Sequence, residues 1–154
     1  SMKPHIEIYT DGACSPNPGT GGWGAVLISH EHDHRRELSG AEPNSTNNRM
    51  ELTAAIHALE ALKQSCRVDL YTDSTYLKNA FEQGWLANWQ HKHWKTKGGK
   101  PVANQDLWKA LLKLDRQHEV KWRWVKGHAG HPQNDRADEL AVAARIQLQD
   151  SAAA

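Results

Sequence analysis

Apolar and polar positions alternate along His5–Thr10 (HIEIYT), and a mostly apolar run follows at Trp23–His30 (WGAVLISH). Both predict strands. A third strand is expected within His32–Gly40 (HDHRRELSG), joined to the second through the polar turn HEHDH. Asn47–Gln64 carries apolar residues at helical spacing and predicts a helix. Arg67–Thr72 (RVDLYT) predicts a fourth strand, and Ser74–Gly84 a short helix that Gly84 stops. Trp85–Trp94 reads as another short helix. Asn104–His118 reads as a longer one with Leu107, Trp108, Leu111, Leu112 and Leu114 inward. Glu119–Val125 predicts a fifth strand with Trp122 and Trp124 on one face, and Asp135–Gln149 a final helix. Gly12–Gly22 is a Gly/Pro/Asn-rich break, and Lys95–Asn104 and Lys126–Asn134 are loops. The order β-β-β-α-β-α-α-α-β-α predicts an α/β fold whose sheet is antiparallel in its first half and parallel later.

One position breaks the pattern. On the wheel of the Asn47–Gln64 helix, Met50, Ala54, Ala55, Ala58, Leu59 and Leu62 share an arc, and Thr53, His57, Glu60 and Gln64 lie opposite. Glu51 falls within the apolar arc. An acid near a helix start suits the macrodipole, with Asn47 or Asn48 as N-cap, but this does not explain why it faces inward. A carboxylate buried without a partner is costly.

Other acids offer a reason. Asp11 follows IYT at the end of the first strand, and Asp73 follows LYT at the end of the fourth. Ligands of open α/β sheets bind beyond the carboxyl ends of strands. Taken singly, each Asp reads as a turn former; with Glu51, the pair points to a site. In NDRADEL, Asp138 borders the stripe Ala137, Leu140, Ala141, Ala144 and Leu148, whereas Asp135 points away. Asp138 is therefore the fourth candidate. Carboxylates gathered this closely raise one another's pKa. A hard divalent cation, Mg²⁺ or Mn²⁺, relieves that conflict, and the lack of an accompanying Cys/His set argues against zinc. Two such ions can clamp an in-line displacement at phosphorus.

Length and charge change this picture little. The chain of 154 residues reads as one domain over residues 2–149 with a frayed, disordered tail at 150–154, and its net charge of +1 names no partner. No apolar run is long enough for a membrane span. Cys14 and Cys66 read as free thiols in a reducing cytoplasm. His30, His32 and His34 read as a polar hairpin tip rather than a metal site. Trp85–Lys100 holds Lys92, Lys95, Lys97 and Lys100 and no acid, a local positive patch that by itself reads equally as a solvated loop.

YTDG, TNNRMEL, YTDS, NWQHKHWKT and WVKGHAGHPQNDRADELA together resemble type 1 ribonuclease H of the bacterial kind, over about Ile6–Arg145. The resemblance implies a ribonuclease H-like fold, a five-stranded mixed sheet flanked by helices. It implies a monomeric, metal-dependent endonuclease that cuts the RNA strand of an RNA/DNA hybrid and leaves 5′-phosphate and 3′-hydroxyl ends. Two Mg²⁺ ions, with Mn²⁺ as substitute, would bind when substrate is present. The implied ligands are Asp11, Glu51, Asp73 and Asp138, and His128 would help proton transfer and product departure. Cys14 to Asn17 and Asn47 to Glu51 would contact the 2′-hydroxyls that mark RNA. Thr46 and Asn88 would hold a DNA-strand phosphate, with Trp85 along the deoxyriboses and Asn48 also on DNA. Lys92, Lys95 and Lys97 would belong to a basic protrusion. Thr75 departs from the Gln that many bacterial members carry there. Competing classes are a related nuclease with the same metal cradle, such as a junction resolvase, and a binding module that does not cut.

Overall fold

Strand alternation carries further than the local pattern suggests. In the computed structural model, which describes residues 2–126 and 131–153, β1 spans His5–Cys14, β2 Gly19–Ser29 and β3 His34–Ser45. The Gly12–Gly22 stretch expected to be a break is thus largely paired strand, with Gly12 opposite Trp23 and Cys14 opposite Gly21. Its glycines answer to sterics rather than to turns. A Cβ on Gly12 would lie 2.7 Å from the Glu51 backbone nitrogen, and one on Gly22 would lie 2.0 Å from the Ala141 carbonyl oxygen. Helices cross both faces of the hairpin too closely for a side chain.

The remaining elements follow the expected order: α1 (Asn47–Glu60), β4 (Arg67–Thr72), α2 (Thr75–Glu82), α3 (Trp85–His91), α4 (Gln105–Gln117), β5 (Glu119–Trp124) and α5 (Pro132–Ala153). The sheet runs β3-β2-β1-β4-β5. β1 pairs antiparallel with β2 and β2 with β3, whereas β1/β4 and β4/β5 are parallel. α1 packs on β1 and β2 and against α4, while α5 crosses β2, β1 and β3. Between α1, α4 and the sheet lies the core, with Ile8, Leu52, Leu59, Leu70, Leu77, Trp108 and Leu111 fully enclosed. Among the described residues no helix is long and apolar enough to cross a membrane.

Several local expectations are corrected. The α1 N-cap is Thr46, not Asn47 or Asn48: its hydroxyl accepts from the Arg49 N–H at 3.1 Å. Thr53, assigned to the polar side of α1, is buried because other elements cover that side too. Its hydroxyl is satisfied locally, donating to the Arg49 carbonyl at 2.8 Å. α5 starts earlier than Asp135 and stays helical to Ala153, where a frayed tail was expected from 150. Trp122 and Trp124, expected on one face of the fifth strand, are half-buried on the edge strand and pack against the core, where Trp122 stacks on Phe81 at 4.7 Å.

His118 closes the seam between α4, β5 and β4. Its Nδ1 accepts the buried Cys66 N–H at 3.1 Å, which requires that nitrogen unprotonated. Burial holds its pKa below 6.5, with the charge of Lys3 adding to the effect. Because the folded value is depressed, stability is held above the unfolded value and lost as pH falls through the folded one. The contribution of His118 to thermal stability should therefore decline in that acid window, read as a shrinking difference in melting temperature between the protein and His118→Leu. The same substitution should lower stability at neutral pH by about 1–3 kcal/mol, the cost of an unsatisfied buried N–H.

Candidate active site

The parallel register of β1 and β4 sets Tyr9 beside Tyr71 as its last pair, with the rings stacked at 4.7 Å. Two residues further along each strand come Asp11 and Asp73. The first turn of α1 presses on Gly12 and brings Glu51 to the same place, where the Gly12 N–H donates to its carboxylate. Oxygen atoms of Asp11, Glu51 and Asp73 lie within 4.8 Å of one another. Asp138 arrives on α5, which covers the opposite face of β1, and is hydrogen-bonded to Asp11. The inward-facing Glu51 thus finds its explanation in the other acids. All four line one cavity of about 440 Å³, together with Cys14, Asn47, Asn48, Thr75, Tyr76 and Arg145.

The cluster is electrostatically uncomfortable. Glu51 is only 8% exposed, and its Oε1 has no hydrogen-bond partner among the described residues. Burial raises its pKa well above the ordinary range, and the charges of Asp11 and Asp73 raise it further. Asp11 is pushed up to about 8, first by burial, then by the bond to Asp138 and the charge of Asp73. The donors are all carboxylate oxygen, and one buried oxygen is left over. That set fits a hard divalent cation of the Mg²⁺ class, with Asp11, Glu51, Asp73 and Asp138 as the residues that would hold it.

Beside the acids, the turn after β1 is tied to the start of α1. The Cys14 N–H donates to Asn47 Oδ1 at 2.7 Å, and the Asn47 N–H donates to Asn17 Oδ1 at 3.1 Å. Cys14, Asn17 and Asn47 are therefore brought together. Thr46 lines a separate depression with Pro18, Ser45, Arg49 and Asn104. Asn88 does not line it and sits exposed on α3. Sequence reasoning missed Arg49 and Asn104 here, and Tyr76 and Arg145 at the acidic cavity. Among these, the Tyr76 hydroxyl accepts from Trp108 Nε1 at 2.9 Å and from Asn104 Nδ2 at 3.3 Å.

Lys92, Lys95, Lys97 and Lys100 are exposed, and among the described residues none forms an ion pair. Their loop is closed by the Thr96 N–H donating to the Lys100 carbonyl at 2.7 Å and the Val102 N–H donating to the Trp94 carbonyl at 2.9 Å. Half-buried Trp85 leans on Trp89 at 5.9 Å, and Trp89 contacts both Trp94 and Trp108. His30, at the exposed hairpin tip, pairs with Glu7 at 2.5 Å. Together with His32 and His34 it forms no metal-binding group among the described residues. His128 lies outside the described residues.

Residues 3–146 match the family model described as RNase H. A ribonuclease H from Moorella thermoacetica is 62% identical over 143 residues, spanning 93% of this chain and 93% of that protein. LC9-RNase H1, a type 1 RNase H with the type 2 active-site motif, superposes with a TM-score of 0.84 at 33% identity, over 96% of this chain and 74% of that one. The fold is shared also with LC11-RNase H1, solved in complex with an RNA/DNA hybrid, at a TM-score of 0.67 and 23% identity over 94% and 99% of the two chains.

Carboxyls whose pKa is raised by folding contribute stability at low pH and lose it as pH climbs through the folded value. Without divalent cations, the melting temperature should therefore drop as pH rises from the ordinary carboxylate range, 3.8 for Asp11, toward about 8. Millimolar Mg²⁺ should restore it at the upper end. Asp11→Asn should flatten the decline and shrink the Mg²⁺-induced rise; an undiminished rise would place the cation elsewhere.

Proposed function

Because the chain belongs to the ribonuclease H family, it is an endoribonuclease acting on RNA/DNA hybrids, and we propose that it cuts the RNA strand by in-line attack of water, using two divalent cations and leaving 5′-phosphate and 3′-hydroxyl ends. Mg²⁺ is the proposed ion, with Mn²⁺ as substitute. The observation that carries this reading is the convergence of Asp11, Glu51 and Asp73 within 4.8 Å, with Asp138 bonded to Asp11. When bound, the cations would neutralise the phosphodiester and lower the pKa of the attacking water.

The chain's own residues supply position and selection. The four acids hold a concentrated negative charge that admits a phosphodiester only once it is offset. Glu51 is fixed by burial and by the Gly12 N–H, so the cradle is set before substrate arrives. Cys14, Asn17, Asn47 and Asn48 stand beside it and are proposed to read the 2′-hydroxyl, the group that separates RNA from DNA. Thr46, Asn88 and Trp85 are proposed to follow the DNA strand. Lys92, Lys95 and Lys97 would attract both strands without regard to sequence. His128 is proposed to carry a proton at the departing oxygen. A single copy supplies all four acids, which supports a monomer, and the free thiols Cys14 and Cys66 suit the cytoplasm.

With Mg²⁺, the protein should cut a labelled RNA strand annealed to DNA, spare duplex DNA and single-stranded RNA, and stop when a chelator is added. Equal cutting of duplex DNA would overturn the assigned selectivity. Asp11→Asn should lower kcat by at least ~10²-fold while hybrid binding in Ca²⁺ survives. Replacing Lys92, Lys95, Lys97 and Lys100 by Ala should raise KM by about tenfold or more, with a smaller effect on kcat. The reverse split would move the lysines toward the chemistry.

A further inference from the structure

Among the described residues lining the acidic cavity, Arg145 is the one cation. It sits on α5 about two helical turns beyond Asp138, on the stretch of backbone that rests against Gly22. Four other arginines are tied to carboxylates, among them Arg35 to Glu37. Arg49 bonds both oxygens of Asp106, Arg123 bonds Asp69, and Arg136 bonds Glu37 and Glu139. Arg145 has no carboxylate partner among the described residues, although four acids line the same cavity.

Its only hydrogen bond among the described residues runs from Nη1 to Gln149 Oε1 at 3.0 Å. Gln149 in turn donates from Nε2 to the Ser15 carbonyl at 2.7 Å. The guanidinium is thereby aimed by a two-step tether to the turn that carries Cys14 and Asn17. Nε is enclosed and meets no acceptor among the described residues, and Nη2, which makes no bond there, is the donor left for an incoming group. An arginine that is held in place yet left under-bonded suits an anion that arrives from outside. Guanidinium is matched in shape to phosphate oxygens.

From this placement, and resting on the hybrid-cleaving function proposed above, we infer that Arg145 binds a backbone phosphate of the RNA strand beside the one that is cut. Arg145 lies about 10 Å along α5 from Asp138, and its tether runs on toward Gln149 and away from the acids, which favours a neighbouring phosphate over the reacting one. The contact would hold the RNA strand in register against the turn at Ser15. Arg145 is thus a substrate-positioning residue, and Gln149 aims it.

Steady-state cleavage of a labelled RNA/DNA hybrid, measured across a series of KCl concentrations, tests the assignment. Arg145→Met keeps the unbranched stem and removes the charge; Arg145→Lys keeps a charge. Expected for Arg145→Met is a KM raised about tenfold with a smaller change in kcat, and a slope of log KM against log salt reduced by about one unit. Arg145→Lys should regain most of the slope, and melting temperatures of both should stay near that of the unaltered protein. An unchanged KM and slope in Arg145→Met would overturn the inference. So would a fall in kcat or in melting temperature with the slope intact, which would mark a structural role. Failure of the unaltered protein to cut the hybrid would remove the functional reading itself, and is seen before any substitution is made.

Discussion

Parallel pairing of β1 with β4, in the register that sets Tyr9 beside Tyr71, is the constraint from which the site follows. It turns two similar segments, YTDG and YTDS, into two acids side by side at the carboxyl ends of the two central strands. The other acids of the site are delivered to those strand ends from outside the sheet. α1 brings Glu51 across Gly12, and α5 brings Asp138 across the other face. A slip of one residue in the strand pair would send Asp73 to the opposite face of the sheet from Asp11, and no adjustment of the helices could recover the cluster.

Gathering acids in this way works against folding. Burial and mutual repulsion raise Glu51 and Asp11 away from their ordinary values, so ionising the whole cradle costs free energy that a cation would offset. The rest of the fold must carry that cost. A core containing fully enclosed Trp108, Leu52, Leu59, Leu70 and Leu111 is well able to, since each such side chain contributes about 1.5–3 kcal/mol on burial. Attraction for nucleic acid is proposed to lie elsewhere, with the lysines after α3, which form no ion pair among the described residues.

Much of this was legible in the chain itself. Strand alternation, the strand-end acids and the inward Glu51 are local signals, and they named the element order and the four acids without any knowledge of packing. What stayed hidden depends on three dimensions. Gly12 and Gly22 read as a turn because glycine weakens a strand pattern, and only the crossing of α1 and α5 explains them. Thr53 read as exposed because the wheel knows nothing of the elements packed on the far side of α1. Asn47 and Asn48 are as good capping residues as Thr46, and the choice is settled by one residue's backbone angles. Arg145 lies on an alternating polar flank and looks like any solvated arginine until Gln149 and Ser15 are seen to hold it.

The basic segment after α3 is rooted in a chain of indoles, Trp85 to Trp89 and Trp89 to both Trp94 and Trp108. Such rooting makes the segment a prepared tool rather than a loose arm. Long ammonium-bearing side chains sacrifice conformational freedom when they bind, but the backbone that presents them is already ordered. The entropic penalty on association is correspondingly confined to the side chains. Grip on a charged polymer can then be firm without the segment first having to fold around it.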